Sequence, residues 1–246
     1  MRKAAFLIAL ASLVTLITVG CQSNQRRATS TQVAPANSSS VDSAEQAYRA
    51  YVEGDCSTVG RIYRSARVAE WGASEVRHSF DLLEAFCSEL ENDIGAARAT
   101  YRAIVRNAPL SFASDDARER LRVLRRLEND PDYRDWILAA SDRVTTDVAP
   151  RPAVDRAPVS FPPLAQRAGI SGYAVVEFGV TRRGDTDAPI VVDSDPPLIF
   201  DGVALRAVRE WRYANSDEES TTRRQAIRLV FQPEDAERGE SESAIE

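Results

Sequence analysis

Phe200-Asp201-Gly202-Val203-Ala204-Leu205-Arg206-Ala207-Val208-Arg209-Glu210-Trp211-Arg212-Tyr213 is the stretch on which the reading of the fold turns. Asp201 is a residue type that caps helices, so the pattern predicts a helix from Asp201 to about Tyr213. Ala204, Leu205, Val208 and Trp211 form one stripe along it, as a helix lying on a sheet requires. The sheet is legible on both sides. Upstream, Gly172–Thr181 (GYAVVEFGVT) alternates with period two. Ala174, Val176, Phe178 and Val180 line one face; Tyr173, Val175, Glu177 and Gly179 line the other. Arg182-Arg183-Gly184-Asp185 supplies a turn in which Gly184 can take positive φ. Pro189–Asp193 (PIVVD) reads as a second short strand, stopped by Asp195-Pro196-Pro197. Downstream, after the polar loop Asn215–Arg224, the run Gln225–Phe231 is a third strand with Ile227, Leu229 and Phe231 on one face. The order strand, strand, helix, strand predicts a small sheet covered on one face by one helix.

Residues 42–144 carry a different period. Asp42 with Glu45 reads as a capping box, followed by Ala44, Ala47, Tyr48, Tyr51 and Val52 at helical spacing and by Gly54 as a stop. Further helices are predicted from about Ser57 to Val68, Ser74 to Leu90, Asp93 to Arg106, Asp115 to Leu127 and Pro131 to Arg143. Ala97, Tyr101, Ile104 and Pro109 share their offsets with Val59, Tyr63, Ala66 and Trp71 earlier in the chain. These are the offsets of second-helix positions in tetratricopeptide repeats, which the region resembles; an ordinary helical bundle is the alternative. The lone histidine, His78, falls off the apolar face and is expected to be solvated. Arg118, Arg120, Arg122, Arg125 and Arg126 are interleaved with Asp115, Asp116, Glu119 and Glu128, which reads as a solvated face.

The N-terminus is a targeting pattern. Arg2-Lys3, an apolar run from Ala4 to Val19, and Gly20-Cys21 describe a secretory signal, and Thr18-Val19-Gly20-Cys21 resembles a bacterial lipobox with Cys21 as the lipidated residue. A plain signal or an uncleaved anchor is the other reading. Sixteen apolar residues fall short of the roughly 20 of a usual membrane span. The export route implies an oxidising compartment, so Cys56 and Cys87 become a disulfide candidate. They are equidistant from the Trp71-Gly72 turn, where residues of an antiparallel helix pair face each other. A bridge there would stabilise the fold by about 3 kcal/mol; two buried thiols are the alternative.

Composition narrows the chemistry. The chain has 246 residues, net charge −6 and one histidine. An acidic balance argues against nucleic-acid binding, which needs a basic face. One histidine and three cysteines without a CxxC leave little material for a metal centre or a Ser/His nucleophile. No catalytic group, cofactor or metal site is expected, and the protein reads as no enzyme. The organisation is 1–20 signal of lipoprotein type, 21–41 disordered tether, 42–144 helical domain, 145–160 Pro-containing linker, 161–233 C-terminal domain and 234–246 acidic disordered tail. The fold class is α+β, an all-α helical array joined to a small strand-strand-helix-strand domain.

The C-terminal residues resemble the C-terminal domain of the TonB family. The resemblance covers about 70 residues. It rests on Phe161-Pro162-Pro163-Leu164-Ala165, Gly169-Ile170-Ser171-Gly172, the turn glycine Gly184, Ser194-Asp195-Pro196, the helix signature Phe200–Tyr213 without a gap, and the terminal aromatic Phe231. Asn215 stands where the family usually has proline, and the loop after it carries Asp217, Glu218 and Glu219. The resemblance implies a module that takes an extended receptor peptide along a sheet edge. The candidate edge is the last strand, Gln225, Ala226, Ile227, Arg228, Leu229, Val230, Phe231 and Gln232, kept soluble when empty by Arg224, Gln225 and Arg228. A lipid-anchored envelope adaptor follows, on the periplasmic side, with the outer membrane favoured. Its partners would be envelope proteins such as outer-membrane receptors. The alternative is a divergent energy transducer with an uncleaved anchor that works with ExbB/ExbD-type components.

Overall fold

The computed structural model describes residues 38–66, 72, 74–140, 152–215 and 224–233, all within one compact unit, Val33–Glu246. The expectations placed on the signal, on Cys21, on the tether up to residue 37, on Trp71, on Asp217, Glu218 and Glu219, and on the tail 234–246 lie outside the described residues. No helix among the described residues is long and apolar enough to cross a membrane.

The helical part comprises α1 (Ser38–Val52), α2 (Cys56–Ser65), α3 (Glu75–Leu90), α4 (Ile94–Asn107), α5 (Phe112–Asn129) and α6 (Tyr133–Leu138). Four starts are fixed by side chains that accept otherwise orphan N–H groups. Asp55 accepts from Thr58 N at 2.9 Å, Ser74 from Arg77 N at 3.2 Å, Asp93 from Ala96 N and Ser111 from Ser114 N, both at 3.0 Å. Gly54, at φ 77°, takes the left-handed turn that ends α1. Small residues (Ala44, Ala47, Ala97) let the helices approach, and Tyr48, Phe80, Leu83, Phe86 and Tyr101 fill the space between them. Helix α3 is central, packed by α1, α2, α4 and α5. Cys56 and Cys87 are bonded, with Cα atoms 5.5 Å apart, and tie the start of α2 to α3.

Three sequence expectations are corrected here. Helix α1 starts at Ser38, not at an Asp42 capping box, because Ser40 is buried and Val41 packs on the core, which extends the helix upstream. His78 is buried rather than solvated, because α3 is covered on several sides; its Nδ1 lies 3.9 Å from Asp81 Oδ2. On helix α5 the solvated face is only partial: Arg122, Arg125 and Arg126 are exposed and Arg118 is half-buried, but Arg120 is buried together with Asp116 and Glu119.

The C-terminal part comprises β1 (Ala153–Asp155), α7 (Pro163–Arg167), β2 (Gly172–Val180), β3 (Thr186–Asp195), α8 (Asp201–Glu210), β4 (Arg212–Tyr213) and β5 (Arg224–Phe231). The main sheet has the antiparallel order β3-β2-β5, and β1 pairs with β4 beside it. Helix α8 packs on β2 and β3. Trp211 is fully buried at its end, edge-on to Phe178 at 6.4 Å. Phe200 stacks on Phe231 at 4.4 Å, and Phe161 meets both edge-on. Gly172 is required by close approach, since a Cβ there would stand 2.3 Å from the Asp195 carbonyl oxygen. Gly184, at φ 83°, passes closer still to Tyr213, where a Cβ would stand 1.9 Å from the carbonyl oxygen.

Here too the chain departs from expectation. The helix stops at Glu210, Asp201 makes no N-cap bond, and Trp211 turns extended at ψ 148°. That turn frees Arg212 and Tyr213 to pair with Ala153 and Asp155 as a two-stranded ribbon. Part of the stretch read as linker is therefore strand, and Ala157 supplies the carbonyl that accepts Trp211 Nε1–H at 3.0 Å. The second strand is also longer than Pro189–Asp193, running Thr186–Asp195.

Candidate functional site

The two edges of the β3-β2-β5 sheet differ. The β2–β5 ladder runs unbroken from Gly172↔Phe231 to Gly179↔Arg224. The β2–β3 ladder shifts register twice, between Val175 and Val176 and between Glu177 and Gly179. Strand β3 also carries Pro189, without a backbone N–H, and Ala188 at φ 43°. Bulges, proline and twisted backbone are devices that spoil an edge for pairing. Strand β5 has none of them, and among the described residues no strand pairs with its outer side.

The residues proposed from sequence for this edge fall on β5, with Gln232 one position past it. Ile227, Leu229 and Phe231 are buried under α8's side of the sheet; Ala226, Arg228 and Gln232 are exposed; Gln225 and Val230 are intermediate. The Arg228 guanidinium lies over the Tyr173 ring, 3.8 Å from its centroid. Tyr173 in turn donates its hydroxyl hydrogen to Asp193 Oδ2 at 3.0 Å, and that bond raises the phenol pKa. This row of three side chains crosses all three strands on the sheet's outer face and holds Arg228 beside the open edge.

Arg224 does something that the sequence did not disclose. It is not a solubilising edge side chain. Its Nε pairs with Glu177, which is fully buried, and its Nη2 donates to the carbonyl of Ala188 at 2.7 Å. The guanidinium also lies 4.7 Å from the Trp136 ring centroid of α6. One side chain thus joins β5 to β2, to the bulged part of β3 and to the helical part. Strict period two puts Glu177 on the solvent face; Arg224, with Trp136 of α6 beside it, covers that end of the face, and nothing local in the sequence signals it.

The helical part meets α8 through α5. Arg206 Nη1 reaches Asp116 Oδ1 at 2.5 Å, and Arg209 pairs with Glu119. Arg120 pairs with Glu89 and reaches Asp201 Oδ2 at 3.5 Å. Tyr101 donates to Glu89 Oε2 at 2.8 Å, and Tyr51 donates to the Pro197 carbonyl at 2.9 Å. Burial raises the Asp116 carboxyl to about 6 although Arg206 opposes it. Burial likewise raises Asp201, again against its arginine partner, Arg120. For Arg120, burial disfavours the charge, but Glu89 and Asp201 more than offset it and hold the guanidinium protonated. Gly202 lets α8 approach α5: a Cβ there would lie 2.2 Å from Asp116 Oδ1.

Among the described residues no group of three or more His, Cys, Asp and Glu side chains is placed to hold a metal ion. The arrangement offers main-chain pairing along an edge, with an arginine beside it, and a module braced from behind by helices. None of the curated proteins matches the chain. Residues 157–233 match the family described as the Gram-negative bacterial TonB protein C-terminal, and the matched segment is preceded in the chain by a helical region.

Proposed function

We propose that the protein is a non-enzymatic cell-envelope adaptor that takes an extended segment of a partner protein along β5, with the helical part as a second binding element. The observation that carries this reading is the contrast between edges: β3 is bulged and β5 is regular and unpaired among the described residues. Strand addition needs backbone N–H and C=O groups presented in register, and of the two described edges of the main sheet β5 is the regular one. The family match supports a setting in the envelope, with outer-membrane receptors as the partner class. Lipid attachment through Cys21 on the periplasmic side, with the outer membrane favoured, belongs to the same proposal.

The test uses proline at two positions. Along an antiparallel edge strand the N–H groups point alternately inward to the ladder and outward. Gln225→Pro and Arg228→Pro sample both sets, so one of them removes an outward donor and leaves the β2 ladder intact. That variant should fold by circular dichroism and lose partner capture in envelope extracts, while Arg228→Ala, which keeps the donor, retains it. Full capture by a folded variant lacking the outward donor rejects β5 as the binding edge.

A further inference from the structure

A cleft of about 430 Å³ lies where the helical part meets the C-terminal domain, on the side of β3 away from the β5 edge. Its walls come from elements far apart in sequence: Arg122 and Arg126 from α5, Tyr133 from α6, Thr186 from β3 and Arg209 from α8. The volume lies within the range of small-ligand sites. Three guanidiniums converge there in a chain whose net charge is −6. The acids that face them are few. Arg122 and Arg209 share one oxygen of Glu119, and Arg126 Nε reaches Asp130 Oδ2 only at 4.0 Å. Arg126 is held by aromatic faces, 4.2 Å from the Tyr133 centroid and 5.4 Å from that of Trp136. At the β3 wall the Thr186 hydroxyl oxygen is buried and makes no hydrogen bond. A buried hydroxyl without a partner is a group that a ligand can complete.

We propose that this cleft binds a small oxyanion, the phosphoryl or carboxyl group of a ligand. The α5 and α8 arginines supply the charge and the forked donors, and Thr186 supplies the remaining hydrogen bond. Guanidiniums suit such oxygens because their planar donors match them two at a time. The glutamate between Arg122 and Arg209 does not cancel the site: one carboxylate serves two guanidiniums, and the third has only a distant acid. The face is neither a metal site nor part of the β5 edge, so the proposal stands apart from strand addition.

Phosphoryl groups come free or on lipid headgroups, and two probes separate the sources. One is inorganic pyrophosphate, titrated calorimetrically into the full chain. The other is sedimentation with phosphatidylglycerol vesicles, with phosphatidylcholine vesicles as the blank. Each is compared between the natural chain, Arg122→Gln and Thr186→Val. Arg122 has a side chain that is 59% exposed, and Thr186→Val nearly conserves shape, so both variants should fold, as thermal melts would show. The expected result is about a tenfold loss of affinity on Arg122→Gln and a severalfold loss on Thr186→Val. Loss with pyrophosphate assigns the site to free anions; loss with vesicles alone assigns it to headgroups. Absence of binding to both probes overturns the proposal. So does affinity unchanged by Arg122→Gln, and so does a loss on Arg122→Gln that Thr186→Val does not share, since that marks general surface charge.

Discussion

Helix α8 has two neighbours of opposite character. Toward the sheet it sets Ala204, Leu205, Val208 and the following Trp211 into an apolar, aromatic core. Toward α5 it sets Gly202, Arg206 and Arg209 among the carboxylates of Asp116 and Glu119, with Asp201 reaching Arg120. The sheet side is buried; on the α5 side Asp116, Glu119, Arg120 and Asp201 are buried, while Arg206 and Arg209 are half-buried. Apolar contact tolerates small shifts and supplies most of the driving force. Buried ion pairs supply little net stability but demand their partners, because a lone buried charge is costly. The sheet side therefore holds the domain together, and the α5 side fixes how the helical part sits on it.

The largest effects test that division. Trp211→Ala should destabilise the chain by about 3–5 kcal/mol, read by denaturant unfolding, because it empties a fully buried site and orphans the Ala157 carbonyl. Arg120→Ala should cost about 3–5 kcal/mol as well, by leaving Glu89 and Asp201 buried without their cation. The two sides part company in the compensated variant. Replacing Arg120, Glu89 and Asp201 together with apolar residues of similar volume should recover most of that loss, whereas no polar replacement of Trp211 should. A triple variant as unstable as Arg120→Ala would show that the junction is held by the charges themselves.

The same contrast sets what is legible in the sequence. A stripe such as Ala204, Leu205, Val208 and Trp211 can be read because apolar side chains at helical spacing need a partner surface. The strands can be read through period two, and Ile227, Leu229 and Phe231 face inward as that period requires. Charged residues carry no such signal. Arg120 with Glu89 and Asp201 looks like solvent-facing polarity until residues 31 and 81 positions away are placed beside it. Arg224 and Glu177 are opaque for the same reason. His78 escapes a reading by periodicity because the apolar stripe marks a single face of α3, while α3 is packed on several. The ribbon of β1 and β4 is hidden because three residues of strand among prolines have no periodicity to read. The Cys56–Cys87 bridge is legible, since two cysteines symmetric about a helical turn meet by geometry.

A pH titration sharpens the comparison at smaller amplitude. Burial raises the Asp116 carboxyl from 3.8 to about 6. The folded state therefore binds this proton more tightly than the unfolded chain does. The resulting stability is complete below about pH 4 and is lost as pH rises through about 6. A rise of that size is equivalent to roughly 2–3 kcal/mol. Asp116→Asn has no such proton. Its stability relative to the natural chain should rise by about that amount between pH 4 and pH 7, measured by denaturant unfolding at each pH. A difference that stays flat over this window would mean that Arg206 keeps Asp116 ionised throughout.

The smallest expected effect isolates a single neutral contact across the junction. The Tyr51 ring lies 6.3 Å from that of Phe86 in the helical part, and its hydroxyl donates to the Pro197 carbonyl of the C-terminal part at 2.9 Å. Tyr51→Phe keeps the ring and deletes that bond. A neutral hydrogen bond of this kind contributes about 1 kcal/mol net, and the carbonyl it leaves behind is only partly enclosed. The loss should therefore be about 1 kcal/mol, well below that of Arg120→Ala. In a double-mutant cycle the two should couple, because Tyr51 lies within the electrostatic reach of both Arg120 and Asp201. Strict additivity would make the Tyr51 hydroxyl a latch independent of the charged cluster rather than its neutral rim.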